Sequence, residues 1–558
     1  MKETKNDAVI DASEKSNETE KKSLQLLIQS IYNDKRFKVF LIVFFIFISS
    51  AISWRATNSI SRVPPLTDSG IFAGGAIHLL EGKVLYKDIW DCKPPMIFFL
   101  DAFAMVVGEK SIESIRTMER IFGVFAIIFL YLITYLIFKN NLLSFIATLI
   151  YPFYLYNKYV FQWGNLTEEY ATTFVLGGIL FCLLAKRASN KWVWAYSLTS
   201  GLFFSIAVFF KEPFLLSSIP WFFYLILNKE KGVKYALKNG LFFIIGSLIP
   251  LLIFLSYFLA NNIIKDSIDL LSFDFSYAKT SRVNVSFWTR IINNFKPFYE
   301  KVLQNTITIR VFFVLGLFSI FLIPFLKKYK WFPIFAIFSF AAEYLGTMIS
   351  DRKFGHYYMQ LIPSFILVST CGGALLMYIL EKIKVWKICV IILFFFLIIR
   401  YDKVAFTNYY ESIKMPRVKV KISEISNFII NNSTKEDTIW VCSGHLSKFY
   451  LETGRISPTK YYTPFKDFFI DTKYSTADEK VEYLKSSLSS KPPKFIIFST
   501  NYMFVVDTYK ISDWVYKNYT KLDIKEGKTE LYVLNTAHTD LKLDSKNPPI
   551  KIQNAWGY

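Results

Sequence analysis

Long apolar stretches separated by short polar segments dominate the first 400 residues of this 558-residue chain. Each of the main stretches approaches the roughly 20 residues that an α-helix needs to cross a bilayer. They are residues 39–54, 116–138, 142–156, 167–185, 193–209, 214–227, 240–260, 311–326, 331–349, 357–380 and 386–399. The pattern predicts a polytopic α-helical membrane protein with about 11 transmembrane helices.

A further apolar stretch, residues 96–107, is too short for the same assignment and carries Asp101. At 1.5 Å per residue it covers only about 18 Å. We predict a short helix that lies in or dips into the outer leaflet. If residues 96–107 cross the membrane instead, the predicted number of transmembrane helices becomes 13.

The pattern changes on both sides of the membrane region, residues 39–401. Residues 1–38 are polar and predict a partly disordered cytoplasmic leader. Residues 402–558 lack an apolar run of transmembrane length and predict a small soluble α/β domain. Its expected strands are 438–443, 494–499 and 530–534, and its expected helices are 418–430, 477–489 and 511–517.

Clusters of Lys and Arg beside the apolar stretches indicate the orientation, because such residues tend to stay cytoplasmic. Threading eleven helices puts these clusters on one side, with the N-terminus cytoplasmic and the C-terminal domain extracytoplasmic. The outer face then carries the polar stretches 68–93, 163–169, 211–212, 261–305 and 351–356. We therefore expect a multi-pass protein of the plasma membrane.

Composition agrees with a membrane setting, since 53% of residues are hydrophobic and 57 are Phe. The net charge of +21 comes from short clusters beside the helices. Topology and anionic membrane lipids explain these clusters better than nucleic acid does, so we expect no nucleic-acid partner. The five cysteines form neither a Cys-x-x-Cys metal motif nor a dense disulfide framework.

The first outer loop gathers carboxylates at the membrane surface, where a lipid-linked substrate presents its head group. Asp68 follows the first apolar stretch, and Asp88 and Asp91 precede Pro94-Pro95. Asp68 is the candidate general base; its alternative role is to cap a helix that begins near Gly70. If helical, Asp88 and Asp91 share one face and bind acceptor or a divalent cation; otherwise they form a solvated turn.

Two other outer segments carry candidate acids and cations. Glu168 opens an apolar stretch, where an acid also compensates the helix dipole. Lys211 lies between two apolar stretches and is a candidate for binding a lipid phosphate. The alternative for Lys211 is an intramembrane ion pair with its neighbour Glu212.

The outer segment 351–356 and the residues that follow it are cationic and aromatic. Arg352 and His356 are candidates for phosphate binding, because guanidinium and imidazole groups donate hydrogen bonds to phosphate. Tyr357 and Tyr358 follow directly and suit a sugar face or a lipid. The alternative is an interfacial anchor of cations and tyrosines.

These motifs, in this order, resemble the GT-C glycosyltransferases of the protein mannosyltransferase and aminoarabinose transferase type. The residues that carry the resemblance are Asp68, Gly82-Lys-Val-Leu-Tyr-Lys-Asp88, Pro94-Pro95, Arg116, Asn165-Leu-Thr-Glu168 and Asp351-Arg352-Lys-Phe-Gly-His356-Tyr-Tyr-Met-Gln-Leu-Ile-Pro363. The resemblance covers roughly residues 39–400. It implies an inverting enzyme that passes a sugar from a polyprenyl phosphate to an envelope glycan, lipid or protein acceptor. No resident cofactor is implied with certainty, since the carboxylates suit a divalent cation or a metal-free base.

Two other functions remain open from the sequence. A transporter or flippase of lipid-linked saccharides needs polar groups deep inside its helices, whereas the helix centres here are Phe, Leu and Ile. A polysaccharide polymerase is expected to carry arginines in its outer loops, and residues 261–305 contain Arg282 and Arg290. The phosphate-loop, His-Glu-x-x-His and Gly-x-Ser-x-Gly motifs do not occur, which disfavours ATP-driven transport, zinc proteolysis and serine hydrolysis.

Overall fold

The computed structural model describes residues 34–57, 67–188, 192–227, 232–280, 286–304, 306–349, 352–382, 396, 400, 402–414, 416, 420–464, 469–499 and 511–540. Helices account for most of these residues. In chain order they are α1 Lys35–Ala56, α2 Asp68–Leu80, α3 Met96–Val107, α4 Ile112–Phe138, α5 Asn141–Leu155, α6 Lys158–Phe161, α7 Thr167–Arg187, α8 Val193–Phe210, α9 Leu215–Ile226, α10 Gly232–Ala260, α11 Ile264–Thr280, α12 Phe287–Phe298, α13 Ile307–Phe318, α14 Ile323–Lys328, α15 Phe332–Thr347, α16 Ile362–Lys382, α17 Lys403–Lys414, α18 Glu424–Asn431, α19 Lys448–Thr453, α20 Ala477–Ser490 and α21 Ser512–Asn518.

The helices confirm the polytopic prediction. Six are long and apolar enough to cross a membrane among the described residues: Lys35–Ala56, Ile112–Phe138, Thr167–Arg187, Val193–Phe210, Gly232–Ala260 and Gly355–Glu381. Shorter apolar helices occupy the other predicted stretches, and α3 has the predicted bounds. The predicted span 386–399 lies outside the described residues except for Phe396, as does most of the leader, residues 1–33.

Two predicted helices are interrupted, which corrects the sequence-based bounds. Within the predicted span 311–326, α13 ends at Phe318, a 3₁₀ turn follows, and α14 begins with Pro324 in its first turn. Proline lacks the N–H that a continuous helix would need at this point. The predicted helix 357–380 begins instead as a 3₁₀ segment, Gly355–Leu361, before α16 continues it.

Helix α7 lies at the centre of the bundle. In its most apolar window 83% of residues are buried, compared with 11% in α1, which lies at the periphery. Helix α7 packs between α4 and α8, so residues at its N-terminus project into the interior of the protein. Glu168 occupies this position.

The basic ends of several helices meet at one end of the bundle. Lys186 Nζ donates hydrogen bonds to the carbonyl oxygens of Tyr224 (2.6 Å) and Leu227 (3.1 Å), which joins the end of α7 to that of α9. Lys328 Nζ lies 5.1 Å from the centre of the Tyr378 ring on α16. This clustering agrees with the predicted threading; which side of the membrane it faces stays a prediction.

The C-terminal region contains a four-stranded sheet. Strands β1 Ile439–Val441, β2 Phe495–Ser499, β3 Tyr519–Glu526 and β4 Thr529–Leu534 are ordered β1-β2-β4-β3. Strands β1 and β2 are parallel, and β4 is antiparallel to both β2 and β3. The sequence predicted strands β1, β2 and β4 and helices α18, α20 and α21 of this region. It did not predict strand β3.

This region packs directly on α2, which begins with Asp68. His78 Nδ1 bonds the Gly74 carbonyl at 2.7 Å, and Nε2 accepts a hydrogen bond from the Ser457 N–H at 2.8 Å. The Tyr462 hydroxyl donates to the Ile71 carbonyl at 3.0 Å. The C-terminal region therefore helps to hold the helix that carries the candidate base.

We expect His78 to make stability dependent on pH. Burial lowers the pKa of its imidazole from 6.5 to about 4, so between these values the unfolded chain binds the proton and the folded chain does not. The free energy of unfolding should fall by about 3 kcal/mol as the pH drops through this window. Thermal unfolding of detergent-solubilised protein at pH 7 and pH 4 measures the effect. His78→Gln should lose less stability over the same window, and an identical loss in both proteins would refute the assignment.

Candidate active site

Four separate segments bring acids and cations together at the end of the bundle opposite the lysine-rich end. They are the start of α2, the N-terminus of α7, the break between α8 and α9, and the 3₁₀ segment before α16. His356 Nε2 lies 4.0 Å from Asp68 Oδ2 and 3.9 Å from Glu168 Oε1. The structure therefore brings together residues that are nearly 300 positions apart in the sequence.

The Asp68 side chain is more exposed to solvent than those of His356 and Glu168. It is 34% exposed, whereas the His356 and Glu168 side chains are 9% and 2% exposed. Helix α2 begins at Asp68 and its N-cap is Thr67, so Asp68 does not take the alternative role of helix cap. The carboxylate is free to face a substrate.

His356 is held by its other ring nitrogen. Nδ1 lies 3.1 Å from Gln162 Oε1, and the ring stacks on Phe354 with centroids 5.6 Å apart. With Gln162 Oε1 as acceptor, Nδ1 carries the hydrogen and Nε2 faces the two carboxylates. His356 therefore has a fixed orientation toward Asp68.

Lys211 forms an intramembrane ion pair, but with Glu168 rather than with the predicted partner Glu212. Thr167 Oγ1 donates a hydrogen bond to the second Glu168 oxygen at 2.8 Å. Lys211 Nζ also lies 3.4 Å from the centre of the Tyr357 ring, a cation–π arrangement. The pair holds Glu168, Lys211 and Tyr357 as one unit.

A tight turn positions Glu168. Gly164 and Asn165 both have positive φ values, 67° and 50°. The Asn165 N–H donates to Glu119, whose carboxylate also receives the Arg116 guanidinium at 2.7 Å. A side chain at Gly164 would collide with these two groups, so glycine is required both for conformation and for space.

Asp88 and Asp91 do not share a helix face, which corrects that expectation. Asp88 accepts a hydrogen bond from the Val84 N–H at 2.9 Å and closes the turn at 85–89. Asp91 is buried and accepts from the Lys93 N–H at 2.9 Å. Burial raises the pKa of Asp91 to about 6, which favours its protonated form relative to an exposed aspartate.

Arg352 and the two tyrosines have different surroundings. The Arg352 guanidinium lies 3.7 Å from the centre of the Tyr277 ring, at the rim of the site. Tyr357 contacts Lys211 and His356. Tyr358 is 1% exposed and donates a hydrogen bond to Asn294 Oδ1 at 2.9 Å, so no part of it faces a sugar.

Sequence reasoning missed Lys93, Glu212 and Asp274 as site residues. Burial opposes the charged form of Lys93, but Cys92, Tyr357, Asp68 and Asp91 surround it and together raise its pKa well above the usual range. Lys93 immediately precedes Pro94-Pro95, and this position in the sequence could have identified it as a candidate site residue.

Asp274 projects from α11 into the same group. Burial and then the neighbouring Glu212 carboxylate raise the pKa of Asp274 well above its usual range, while Lys93 and Lys211 oppose the shift. Its location on an amphipathic helix within 261–305 could be found only from the fold. Among the described residues, no set of three or more His, Cys, Asp or Glu side chains has a metal-binding arrangement.

Comparisons with known proteins agree with this architecture. The model of the dolichyl-phosphate-mannose-protein mannosyltransferase family matches residues 92–258. Two solved structures of ArnT from Cupriavidus metallidurans, one bound to undecaprenyl phosphate and one in the apo state, align with TM-scores of 0.53 and 0.51. Sequence identities are 11% and 10%, and each alignment covers 89% of this chain and 98% of that chain. A search of curated proteins gives no significant match.

The fold is thus similar to that of ArnT, which agrees with the polytopic GT-C-like fold that the sequence motifs predicted. Residues 92–258 are similar to the dolichyl-phosphate-mannose-protein mannosyltransferase family.

Proposed function

We propose that this protein is an inverting glycosyltransferase that moves a sugar from a polyprenyl phosphate to an acceptor in the cell envelope. The acceptor is a glycan, a lipid or a protein, and the reaction takes place on the extracytoplasmic face of the membrane. The observation that carries the proposal is one partly exposed carboxylate, Asp68, beside the buried His356 and the Glu168–Lys211 ion pair at one end of the helical bundle. The mannosyltransferase family match and the undecaprenyl phosphate in the ArnT structure support the donor class.

Asp68 is the proposed general base. It takes the proton of an acceptor hydroxyl as that oxygen forms a bond to the anomeric carbon of the sugar. The bond from this carbon to the phosphate oxygen breaks on the opposite face, and its electron pair leaves with the polyprenyl phosphate. His356, whose Nε2 lies 4.0 Å from Asp68 Oδ2, orients the Asp68 side chain.

Lys93 and Arg352 are the proposed direct ligands of the donor phosphate. Lys211 and His356 are proposed to support them without being its main ligands. The charge of Lys211 is largely balanced by Glu168. Although burial opposes the charged form of Lys93, neighbouring groups that include Asp68 and Asp91 favour it, so Lys93 can face a ligand as a cation. Cations placed where negative charge develops stabilise a departing phosphate.

Asp91, Glu212 and Asp274 are suited to the sugar or to the acceptor. Burial raises the pKa of both the Asp91 and the Asp274 carboxyl groups, which favours protonated forms that can donate as well as accept hydrogen bonds. Sugar hydroxyls require both kinds of partner. Asp88 closes a turn nearby and remains a candidate acceptor contact through its exposed side.

A deletion strain tests the proposal. Mass spectrometry should show accumulated polyprenyl-phosphate sugar together with an envelope acceptor that lacks one residue. A plasmid carrying the wild-type chain should reverse both changes, and one carrying Asp68→Asn should reverse neither. Accumulation of complete saccharide on the cytoplasmic face would indicate a flippase instead, and an unchanged glycan profile would contradict transfer.

A further inference from the structure

Helix α12, Phe287–Phe298, has an unusual distribution of side chains. Two of its polar residues face the protein: Asn294 Nδ2 donates to Thr347 Oγ1 at 2.9 Å, and Arg290 donates to the Met348 carbonyl at 2.8 Å. The Tyr344 hydroxyl donates to the Ile291 carbonyl at 2.7 Å. These bonds fix α12 against the end of α15 that lies near the candidate active site.

Several of its apolar residues face outward. Trp288 and Ile292 are 72% and 70% exposed, and Phe295 is exposed as well, as is Tyr299, which directly follows α12. Positions i, i+4, i+7 and i+11 fall within about 60° of one another around a helix, so these four side chains form a single stripe. A soluble helix would bury such a stripe.

A third side of α12 is polar and exposed. It carries Thr289, Asn293 and Lys296, and the Lys296 side chain is 80% exposed. This side is rotated by about 100° from the aromatic stripe. The helix therefore presents one side to the protein, one to an apolar phase and one to water or head groups, as a helix lying at a membrane surface does.

The surroundings of α12 identify the apolar phase. Leu345 and Ile349, near the adjoining end of α15, are also exposed, and α15 is one of the apolar helices of the bundle. Exposed apolar side chains thus occur both on α12 and on the end of the apolar helix to which it is bonded. Trp and Tyr are favoured at the head-group level of bilayers, and Lys296 complements anionic head groups.

We propose that α12 is an interfacial helix, with Trp288, Ile292, Phe295 and Tyr299 seated in the outer boundary of the bilayer on the active-site side. The partner of this surface is membrane lipid. Asn294, which accepts the hydrogen bond of Tyr358, links the seated helix to the segment that carries His356. The lipid contact thereby sets the depth of the candidate site relative to the membrane.

Adjacent residues provide a matched test. The photo-reactive amino acid p-benzoylphenylalanine replaces Ile292 on the stripe or Asn293 on the polar side, in the full chain in nanodiscs of phosphatidylethanolamine and phosphatidylglycerol. Mass spectrometry after illumination should show at least about threefold more phospholipid adduct at 292 than at 293. Phe295 serves as a second stripe position, since its aromatic ring is closer in shape to the probe.

Equal adduct yields at 292, 293 and 295, or no lipid adduct at the stripe positions, would overturn the proposal. Cross-links from the stripe to a second copy of the chain would assign this surface to a protein interface and would overturn it too. The readout requires no transferase activity. Its failure is therefore distinguishable from failure of the proposed function.

Discussion

Replacing Asp68 by Asn is expected to lower the rate of sugar transfer on the order of a thousandfold, the usual contribution of a positioned general base. The amide preserves size but cannot take the acceptor proton. Binding of the lipid donor should persist, because Lys93 and Arg352 remain in place. Single-turnover transfer and donor binding, measured on the same purified protein, separate the two effects.

The matched control is Glu81→Gln at the other end of α2. The Glu81 side chain is 44% exposed and forms an ion pair with Lys110 at 2.8 Å. Removing an exposed pair of this kind changes stability by at most about 1 kcal/mol, and transfer should stay close to the wild-type rate. Wild-type transfer by Asp68→Asn would remove Asp68 from the mechanism.

The second large effect is expected at the Glu168–Lys211 ion pair. Its side chains are 2% and 12% exposed, so Glu168→Gln leaves an ammonium buried without its partner. Losing one partner of a buried pair destabilises a protein by about 3–5 kcal/mol. Lys211→Met should be similarly harmful, because it leaves the buried Glu168 carboxylate without its ion-pair partner.

The double variant Glu168→Gln/Lys211→Met should recover much of the lost stability, because no unpaired charge remains. It should not recover activity, since the unit that holds Tyr357 and faces His356 is gone. Thermal unfolding in detergent measures the first effect, and transfer the second. Glu300→Gln, which breaks the exposed Lys296–Glu300 pair at 3.9 Å, is the control and should change little. Additive losses in the double variant would contradict the coupling.

Much of the fold was predictable because apolar stretches in a membrane protein correspond closely to helices. Helix α3 has its predicted bounds, and its short length and Asp101 were visible in the sequence. The break after Phe318 was missed although Pro324 signalled it. Strand β3 was missed because its alternating sequence, Tyr-Thr-Lys-Leu-Asp-Ile-Lys-Glu, has few apolar residues and lies at the edge of the sheet.

The candidate site was predictable in its residue types but not in its pairings. Asp68, Glu168, Lys211 and His356 were each identified from their position at the end of an apolar stretch, and the fold brings them together. Lys211 was paired with Glu212 because local sequence is the only proximity that a single chain shows. Its partner Glu168 lies 43 residues away, and only helix packing defines that contact.

The central claim is that these charged groups bind a phosphorylated isoprenoid. Native mass spectrometry of the purified chain with undecaprenyl phosphate and with undecaprenol tests this directly. We predict at least about tenfold tighter binding of the phosphate, equivalent to about 1.4 kcal/mol, and loss of this preference in Lys93→Met/Arg352→Met. Equal binding of both lipids by the wild-type protein would contradict the account.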